Sequence, residues 1–357
     1  MDELSVLWVG GERGMEADLV KREAIPFQTI PAAGVHGVGL RALPGNLLSL
    51  AKGIQASRRI LRRYQPDVLF FTGGYVAVPM ALANRLPMKQ GKRPRSLVYV
   101  PDIEPGLAIK VAARFADHVA VSVDESRGYF AHRPAVTTTG YPLRSGLKSL
   151  DRAQARRALG LRTDEPVFLV LGGSKGARSI NRALFSALPD LLPEMQVLHI
   201  SGQLDWPEVE QERLALEDMI GTALAARYHP YPYLYEEMGA ALASADLALS
   251  RAGASTLGEL PLFSLPAILV PYPYAWRYQK VNAEYLVQHG AAVLLRDDEL
   301  AEQMVKVVHS LMSDLDRRRE MQQAMSRIAQ PQAAQKVAEL LILLQTGVHR
   351  TGAQQGK

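Results

Sequence analysis

The sequence predicts an α/β protein of two Rossmann-like domains facing each other across a cleft, and three observations carry that reading. At 357 residues the chain exceeds one ordinary core, and roughly 100–200 residues per domain makes two the natural division. Short apolar runs end repeatedly in glycine-containing turns that lead into helices, at Gly10-Gly11, Gly73-Gly74 and Gly172-Gly173. Strands that alternate with helices form βαβ units, and their strands run parallel.

Taken in order, residues 5–9 read as a strand that ends in Gly10-Gly11, with a helix over 15–22 and a short strand at 27–30. A glycine-rich loop, AAGVHGVGL, precedes a helix whose apolar positions Leu47, Leu50, Ile54, Ile60 and Leu61 recur at helical spacing. Strands at 68–71, 97–100 and 119–121 follow, with helices at 78–85 and from Gly106 to Phe115 between them. Tyr141-Pro142-Leu143-Arg144-Ser145-Gly146 reads as the junction. Beyond it a helix at 152–159 leads to the clearest buried strand, VFLVL at 167–171. Strands at 197–201, 247–249, 267–270 and 292–295 complete a second parallel sheet, and helices at 304–312 and 316–328 follow. The expected division is 1–144, 145–328, a helix within 329–346 that packs back toward the first domain, and a disordered tail at 347–357, whose residues are small and polar.

Composition narrows the function classes. With 48% hydrophobic and 22% charged residues, the chain has the make-up of a soluble globular protein. It has no cysteine, so disulfides and thiolate metal sites are excluded. No apolar run reaches the ~18 residues that span a bilayer. The first residues, MDELSVLWVGG, lack the basic-then-apolar pattern of a secretory signal, so the expected location is the cytoplasm. A net charge of +5 points to acidic partners: nucleic acid, phosphorylated ligands or an anionic membrane. Basic residues cluster at Lys52, Arg58, Arg59, Arg62 and Arg63, and again at Lys89, Lys92, Arg93 and Arg95. Aromatics are not interleaved with these clusters and no nucleic-acid motif is present, so nucleic acid is not expected. His36, His118, His132, His199, His229 and His289 have no metal-ligand spacing, and Asp102-Ile103-Glu104 makes no ligand set, so no metal is expected.

The chemistry-bearing residues concentrate in 245–283. A strand ends in Ser250-Arg251-Ala252-Gly253-Ala254-Ser255-Thr256, and the helix that follows carries Glu259. The next strand stops at Pro271, and its loop holds Tyr272, Tyr274, Trp276, Arg277, Tyr278, Gln279 and Asn282. Ligands of open α/β sheets bind beyond the carboxyl ends of strands. Hydroxyls, a carboxylate, amides and aromatics at two such ends have the make-up of a nucleotide pocket. GGSKGA, after the strand at 167–171, lets backbone approach a phosphate at a helix N-terminus. It matches neither the dinucleotide fingerprint nor the P-loop, and a plain βα turn stays open beside the phosphate reading. Glu259 could accept from a ribose diol or could stabilise its helix N-terminus. Gln279 and Asn282, three apart, share a helix face and could read sugar hydroxyls or bridge loops.

GGSKGARSIN, YEEMGAALASADLALSRAGASTLGEL and LPAILVPYPYAWRYQKVNAEYL together resemble the MurG family, glycosyltransferase family 28. The likeness extends upstream through GYPLRSGL and DVLFFTGGYVAVPMALA to GGERGMEADLV, nearly the whole chain. It implies the glycosyltransferase B fold, inversion at the sugar, and no cofactor or metal. The implied reaction moves GlcNAc from UDP-GlcNAc to a lipid-linked muramoyl-pentapeptide (lipid I), giving lipid II, at the cytoplasmic face of the membrane. By position, Ser174 and Gly173 would approach the diphosphate, Arg144 would contact the UDP-sugar, and backbone near Tyr235 would meet uracil. Glu259 would take the ribose, Gln279 the GlcNAc hydroxyls, and Gly73, Gly74 and Tyr75 would line the acceptor side.

The pattern departs from the family in two places. Family members open with a further strand and a G-G-T-G-G-H loop, whereas residues 5–9 match the family's second strand; a gap or exposed edge in the first sheet is the expectation. The family's H-E-Q-N is here Tyr99-Val100-Pro101-Asp102, which puts a carboxylate in place of an amide at a substrate contact. No catalytic base is assigned, and Asp102 is the candidate. The helix with Leu47, Leu48 and Leu50 beside Lys52 to Arg63 is the expected anionic-membrane face. Two rivals remain on these residues: another UDP-sugar enzyme, such as a 2-epimerase or glycolipid transferase, and a UDP-sugar-binding protein without turnover.

Overall fold

The computed structural model describes residues 4–12, 16–32, 43–87, 92–131, 135–144, 146–147, 151–173, 176–274 and 278–347. The chain forms two compact units: residues 1–101, 105–138 and 335–357 make the first, and 102–104 with 139–334 make the second.

The first unit runs β1 (Trp8–Gly11), α1 (Glu16–Arg22), β2 (Phe27–Ile30), α2 (Leu43–Tyr64), β3 (Val68–Phe71), α3 (Ala77–Arg85), β4 (Arg95–Val100), α4 (Leu107–Phe115), β5 (His118–Val121) and β6 (Val136–Thr138). The second runs α5 (Arg152–Ala158), β7 (Val167–Leu171), α6 (Arg178–Leu191), β8 (Gln196–Ile200), α7 (Trp206–Ile220), α8 (Thr222–Ala225), β9 (Tyr228–Tyr231), α9 (Met238–Ser244), β10 (Leu247–Ser250), α10 (Thr256–Leu262), β11 (Ala267–Leu269), α11 (Tyr278–Gln288), β12 (Ala292–Leu294), α12 (Leu300–Ser313) and α13 (Leu315–Ile328). The helix α14 (Ala333–Thr346) returns the chain to the first unit.

In the first unit β3-β4-β5-β6 form one parallel ladder and β1-β2 another. Among the described residues no ladder joins β1 to β3. Phe70 of β3 and Trp8 of β1 accordingly stay partly open to solvent. The core packs Val98, Val100, Val119 and Val121 against Ala77, Ala81, Ala112 and Ala113, small residues that let α3 and α4 lie close to the sheet. Gly53, in the middle of the 22-residue α2, has the same cause: a Cβ there would sit 2.3 Å from the Pro31 carbonyl oxygen. On the sheet's other face Val337 and Leu340 of α14 cover Leu97, Tyr99 and Ala120. At the start of β5, Asp117 accepts from Arg93 at 2.6 and 3.0 Å and from the Ser96 amide at 2.9 Å. Burial alone would raise its carboxyl, but these partners outweigh it and hold it at about 2.

The second unit has a six-stranded sheet in the order β12-β11-β10-β7-β8-β9, all parallel. Counted from β7, this is the doubly wound order 3-2-1-4-5-6, whose switch point lies between the first and fourth strands. Both faces are covered, so its strands are near-continuous apolar runs, with Val167, Phe168, Leu169 and Val170 all wholly buried. The sheet has one more strand than the sequence pattern suggests. That strand, β9, is Tyr-His-Pro-Tyr; its proline breaks the apolar signal and is tolerated because β9 is an edge with β8 as its sheet neighbour. No helix among the described residues is long and apolar enough to cross a membrane.

Candidate active site

The switch point puts two turns side by side, because β7 and β10 pair in register, Leu171 opposite Ser250. The turn after β7 needs its glycines. A Cβ on Gly172 would lie 2.5 Å from the Ala177 amide nitrogen, and one on Gly176 would lie 2.4 Å from the Ser201 carbonyl oxygen. Gly173 and Gly176 both adopt φ +85°, a region that side chains avoid. Ala177 provides no side-chain cap for α6, so the helix's first N–H groups are not occupied by one. Ser174 and Lys175 lie outside the described residues, so the diphosphate contact expected of Ser174 has no position here.

The turn after β10 opens α10, with the Thr256 hydroxyl donating to the Gly253 carbonyl at 2.6 Å. Glu259 lies in the first turn of α10. Gly258 lets the 139–144 segment press on the helix: a Cβ there would be 2.9 Å from the Tyr141 Cβ. Burial raises the Glu259 carboxyl, while Arg144 and a hydrogen bond from Ser255 oppose the rise. Burial also raises the Tyr141 hydroxyl, helped by the negative charges of Glu259 and Asp102 and relieved by Arg144. Tyr141, Arg144, Glu259 and Asp102 therefore share one electrostatic neighbourhood.

Asp102 is fixed there by Asn282 of α11. The wholly buried Asn282 amide donates to Asp102 Oδ1 at 2.9 Å and to the Ala252 carbonyl at 3.1 Å. Its oxygen accepts from the Ile103 amide at 3.1 Å. Burial raises the Asp102 carboxyl and the Asn282 hydrogen bond partly offsets that. Three positions after Gln279 on the same helix, Asn282 thus ties the 102–104 turn to the turn after β10. Gln279 accepts from the Tyr272 amide at 2.9 Å and so holds the loop after β11.

Arg251 is a residue that sequence reasoning passed over. It donates to Asp297 at 2.5 Å, to the Ser179 hydroxyl at 2.7 Å and to the Val270 carbonyl at 3.2 Å, and its guanidinium stands 5.2 Å from the Tyr272 ring centre. It binds together α6, the ends of β10 and β11, and the aromatic loop. Its place directly after a buried strand was the available signal; Tyr141 had none. Tyr235 is half-exposed and meets Tyr233 edge-on at 4.5 Å. Trp276 and Arg277 fall outside the described residues. Gly73, Gly74 and Tyr75 follow β3 in the first unit, the glycines at φ +129° and +76° and Tyr75 well exposed. No group of three His, Asp or Glu among the described residues could hold a metal ion.

The arrangement offers backbone donors for a phosphate, a cationic Arg144 and two part-buried carboxylates for hydroxyl groups. A doubly wound second unit with this equipment at its switch point, together with a first parallel α/β unit, defines a protein of the glycosyltransferase B class. Residues 2–121 match the N-terminal domain model of glycosyltransferase family 28 and residues 167–341 its C-terminal domain model. The chain belongs to glycosyltransferase family 28, within the MurG family, and is a glycosyltransferase of peptidoglycan synthesis.

A relative from Roseiflexus sp. (strain RS-1) is 41% identical, with 94% of this chain and 83% of the relative covered. One from Desulforudis audaxviator is 35% identical, with 95% and 90% covered. Both are UDP-N-acetylglucosamine–N-acetylmuramyl-(pentapeptide) pyrophosphoryl-undecaprenol N-acetylglucosamine transferases. The solved structure of Acinetobacter baumannii MurG superposes with a TM-score of 0.70 at 26% identity, covering 95% of this chain and 91% of that one. A UDP-GlcNAc 2-epimerase from Neisseria meningitidis shares the fold, with a TM-score of 0.65 at 13% identity and 95% and 91% of the two chains covered.

Proposed function

We propose that this chain transfers GlcNAc from UDP-GlcNAc to lipid-linked muramoyl-pentapeptide, giving lipid II. The observation that carries the reading is its likeness, across nearly its whole length, to transferases of that specificity. In this reading the acceptor hydroxyl attacks the anomeric carbon from the face opposite UDP, and UDP leaves with the bond's electron pair. The glycine turn after β7, Ser174 included, and the N-terminus of α6 stabilise the diphosphate's charge. Glu259 accepts from the ribose diol, Arg144 offsets phosphate charge, backbone near Tyr235 meets uracil, and Gln279 reads the sugar. Asp102, held by Asn282, faces the transferred sugar and is the candidate base for the acceptor hydroxyl. Gly73, Gly74 and Tyr75 line the acceptor side.

Calorimetric titration tests the donor assignment. UDP-GlcNAc should bind selectively over UDP-GalNAc, and Glu259→Gln should weaken it by about tenfold, as expected for a lost charged hydrogen bond worth about 1.5 kcal/mol. A folded sample that binds neither sugar nucleotide removes the assignment.

We further propose that α2 seats the protein on the cytoplasmic face of an anionic membrane. Leu47 and Leu48 are more than half exposed on α2, and Lys52, Arg59, Arg62 and Arg63 are exposed along it. Each basic residue near such a surface contributes ~1 kcal/mol. The second basic cluster contributes less, since Arg93 and Arg95 are engaged by Asp117. The protein should pellet with phosphatidylglycerol vesicles at low salt and release at high salt; if it stays in the supernatant at low salt, this seat is wrong.

A further inference from the structure

Beneath the turn after β7 lies a chain of buried polar groups whose proton positions are fixed by their partners. Asn181, on α6, donates through Nδ2 to the Ser201 carbonyl at 3.0 Å and to Asp205 Oδ2 at 2.9 Å. Its Oδ1 must then be the acceptor that faces His199 Nε2 at 3.0 Å, so Nε2 carries the proton. His199 Nδ1, left without one, accepts from the Tyr228 hydroxyl at 2.7 Å. His199 is wholly buried, and burial lowers it to about 3, so it stays neutral near pH 7. Tyr228, Asn181, Ser201 and Asp205 are all buried too.

The chain of bonds ends on the wall against which the glycine turn rests. A Cβ on Gly176 would come within 2.4 Å of the Ser201 oxygen and 3.1 Å of Asp205 Oδ2, so Gly176 lies flat on the two groups that Asn181 holds. Asp205 is the N-cap of α7, where an aspartate commonly accepts from its own helix. It makes no such bond here and turns to Asn181 and Arg178 instead.

We propose that Asn181, oriented by His199 and Tyr228, is a positioning residue for donor binding: it fixes the Ser201–Asp205 wall and through it the turn that receives the diphosphate. This rests on the donor-site reading above. None of these side chains needs to touch ligand. The role differs from a purely structural one because it affects only the phosphate-bearing part of the donor.

The test compares UDP, by calorimetry, with uridine, by ligand-observed NMR, on the full chain. In Asn181→Asp two carboxylates face each other where an amide met one. UDP should bind at least tenfold more weakly, with uridine unchanged within twofold. Adding Asp205→Asn restores a matched donor and acceptor between positions 181 and 205, though the Ser201 carbonyl still lacks its donor, and should recover about half of the loss on a logarithmic scale. Equal weakening of UDP and uridine, or unchanged UDP affinity, overturns the proposal while leaving the donor site in place. A wild-type protein that binds neither ligand overturns both. If Asn181→Asp does not fold, Tyr228→Phe, which removes one hydroxyl, carries the same comparison: a threefold loss for UDP alone supports the proposal, and an equal loss for both ligands overturns it.

Discussion

Gly176→Val lowers the thermal midpoint by roughly 10 °C and abolishes UDP binding, whereas Gly173→Ala lowers it by roughly 4 °C, the backbone penalty alone. Both glycines have φ +85°, so the backbone penalty is similar, about 1–2 kcal/mol. The surroundings differ. A Cβ at 173 meets nothing within 4 Å, but one at 176 meets the Ser201 oxygen at 2.4 Å. Backbone cannot yield as a flexible side chain would, and overpacking adds about 1–3 kcal/mol. At about 2–4 °C per kcal/mol for a unit of this size, the two costs together give the stated shift. Differential scanning calorimetry with UDP titration measures both. Similar midpoints for the two variants would mean that the wall at Ser201 moves freely.

Asn282→Leu should lose about 3–5 kcal/mol of stability and nearly all transferase activity. Leucine matches asparagine in bulk but leaves the Ile103 amide, the Ala252 carbonyl and Asp102 without their shared partner. Each stranded buried group costs about 1–3 kcal/mol. Asn282→Asp separates shape from charge, because it keeps the acceptor for Ile103 and faces Asp102 with a second carboxylate. The folded pair then binds a proton more tightly than the unfolded chain, so stability falls as pH rises above the usual carboxylate range. Urea titrations from pH 5 to 8 should show Asn282→Asp approaching wild type at the acid end only. A variant as stable as wild type at pH 8 would show that Asp102 is not held by this amide.

The βα alternation was readable because buried parallel strands are apolar on both faces and their turns demand glycine. VFLVL with Gly172-Gly173, and the serine-rich turn before Glu259, gave both halves of the switch point. The edge strand β9 was missed because its apolar pattern is broken by Pro230. The partners that hold the site were not readable. Asp102 and Asn282 are 180 positions apart, and no local period links them. Arg251 finds Asp297 and Ser179 through three different elements. His199 looks the same in the sequence whether or not it carries a relay. Local chemistry is written in neighbouring residues, but a hydrogen-bond network across a sheet end appears only once the chain is folded.

The return of α14 to the first unit also fixes an order of assembly. Residues 139–334 form nearly the whole second unit as one continuous stretch and can close while the chain is still being synthesised. The first unit cannot, because Leu97, Tyr99 and Ala120 await Val337 and Leu340, more than two hundred positions later. Until then the apolar face of β4 and β5 lacks the cover that Val337 and Leu340 give it. A stall or cleavage ahead of α14 would leave a finished donor half attached to a partner that is sticky and prone to aggregate. The helix α14 is therefore the segment that covers the apolar face of the first unit's sheet.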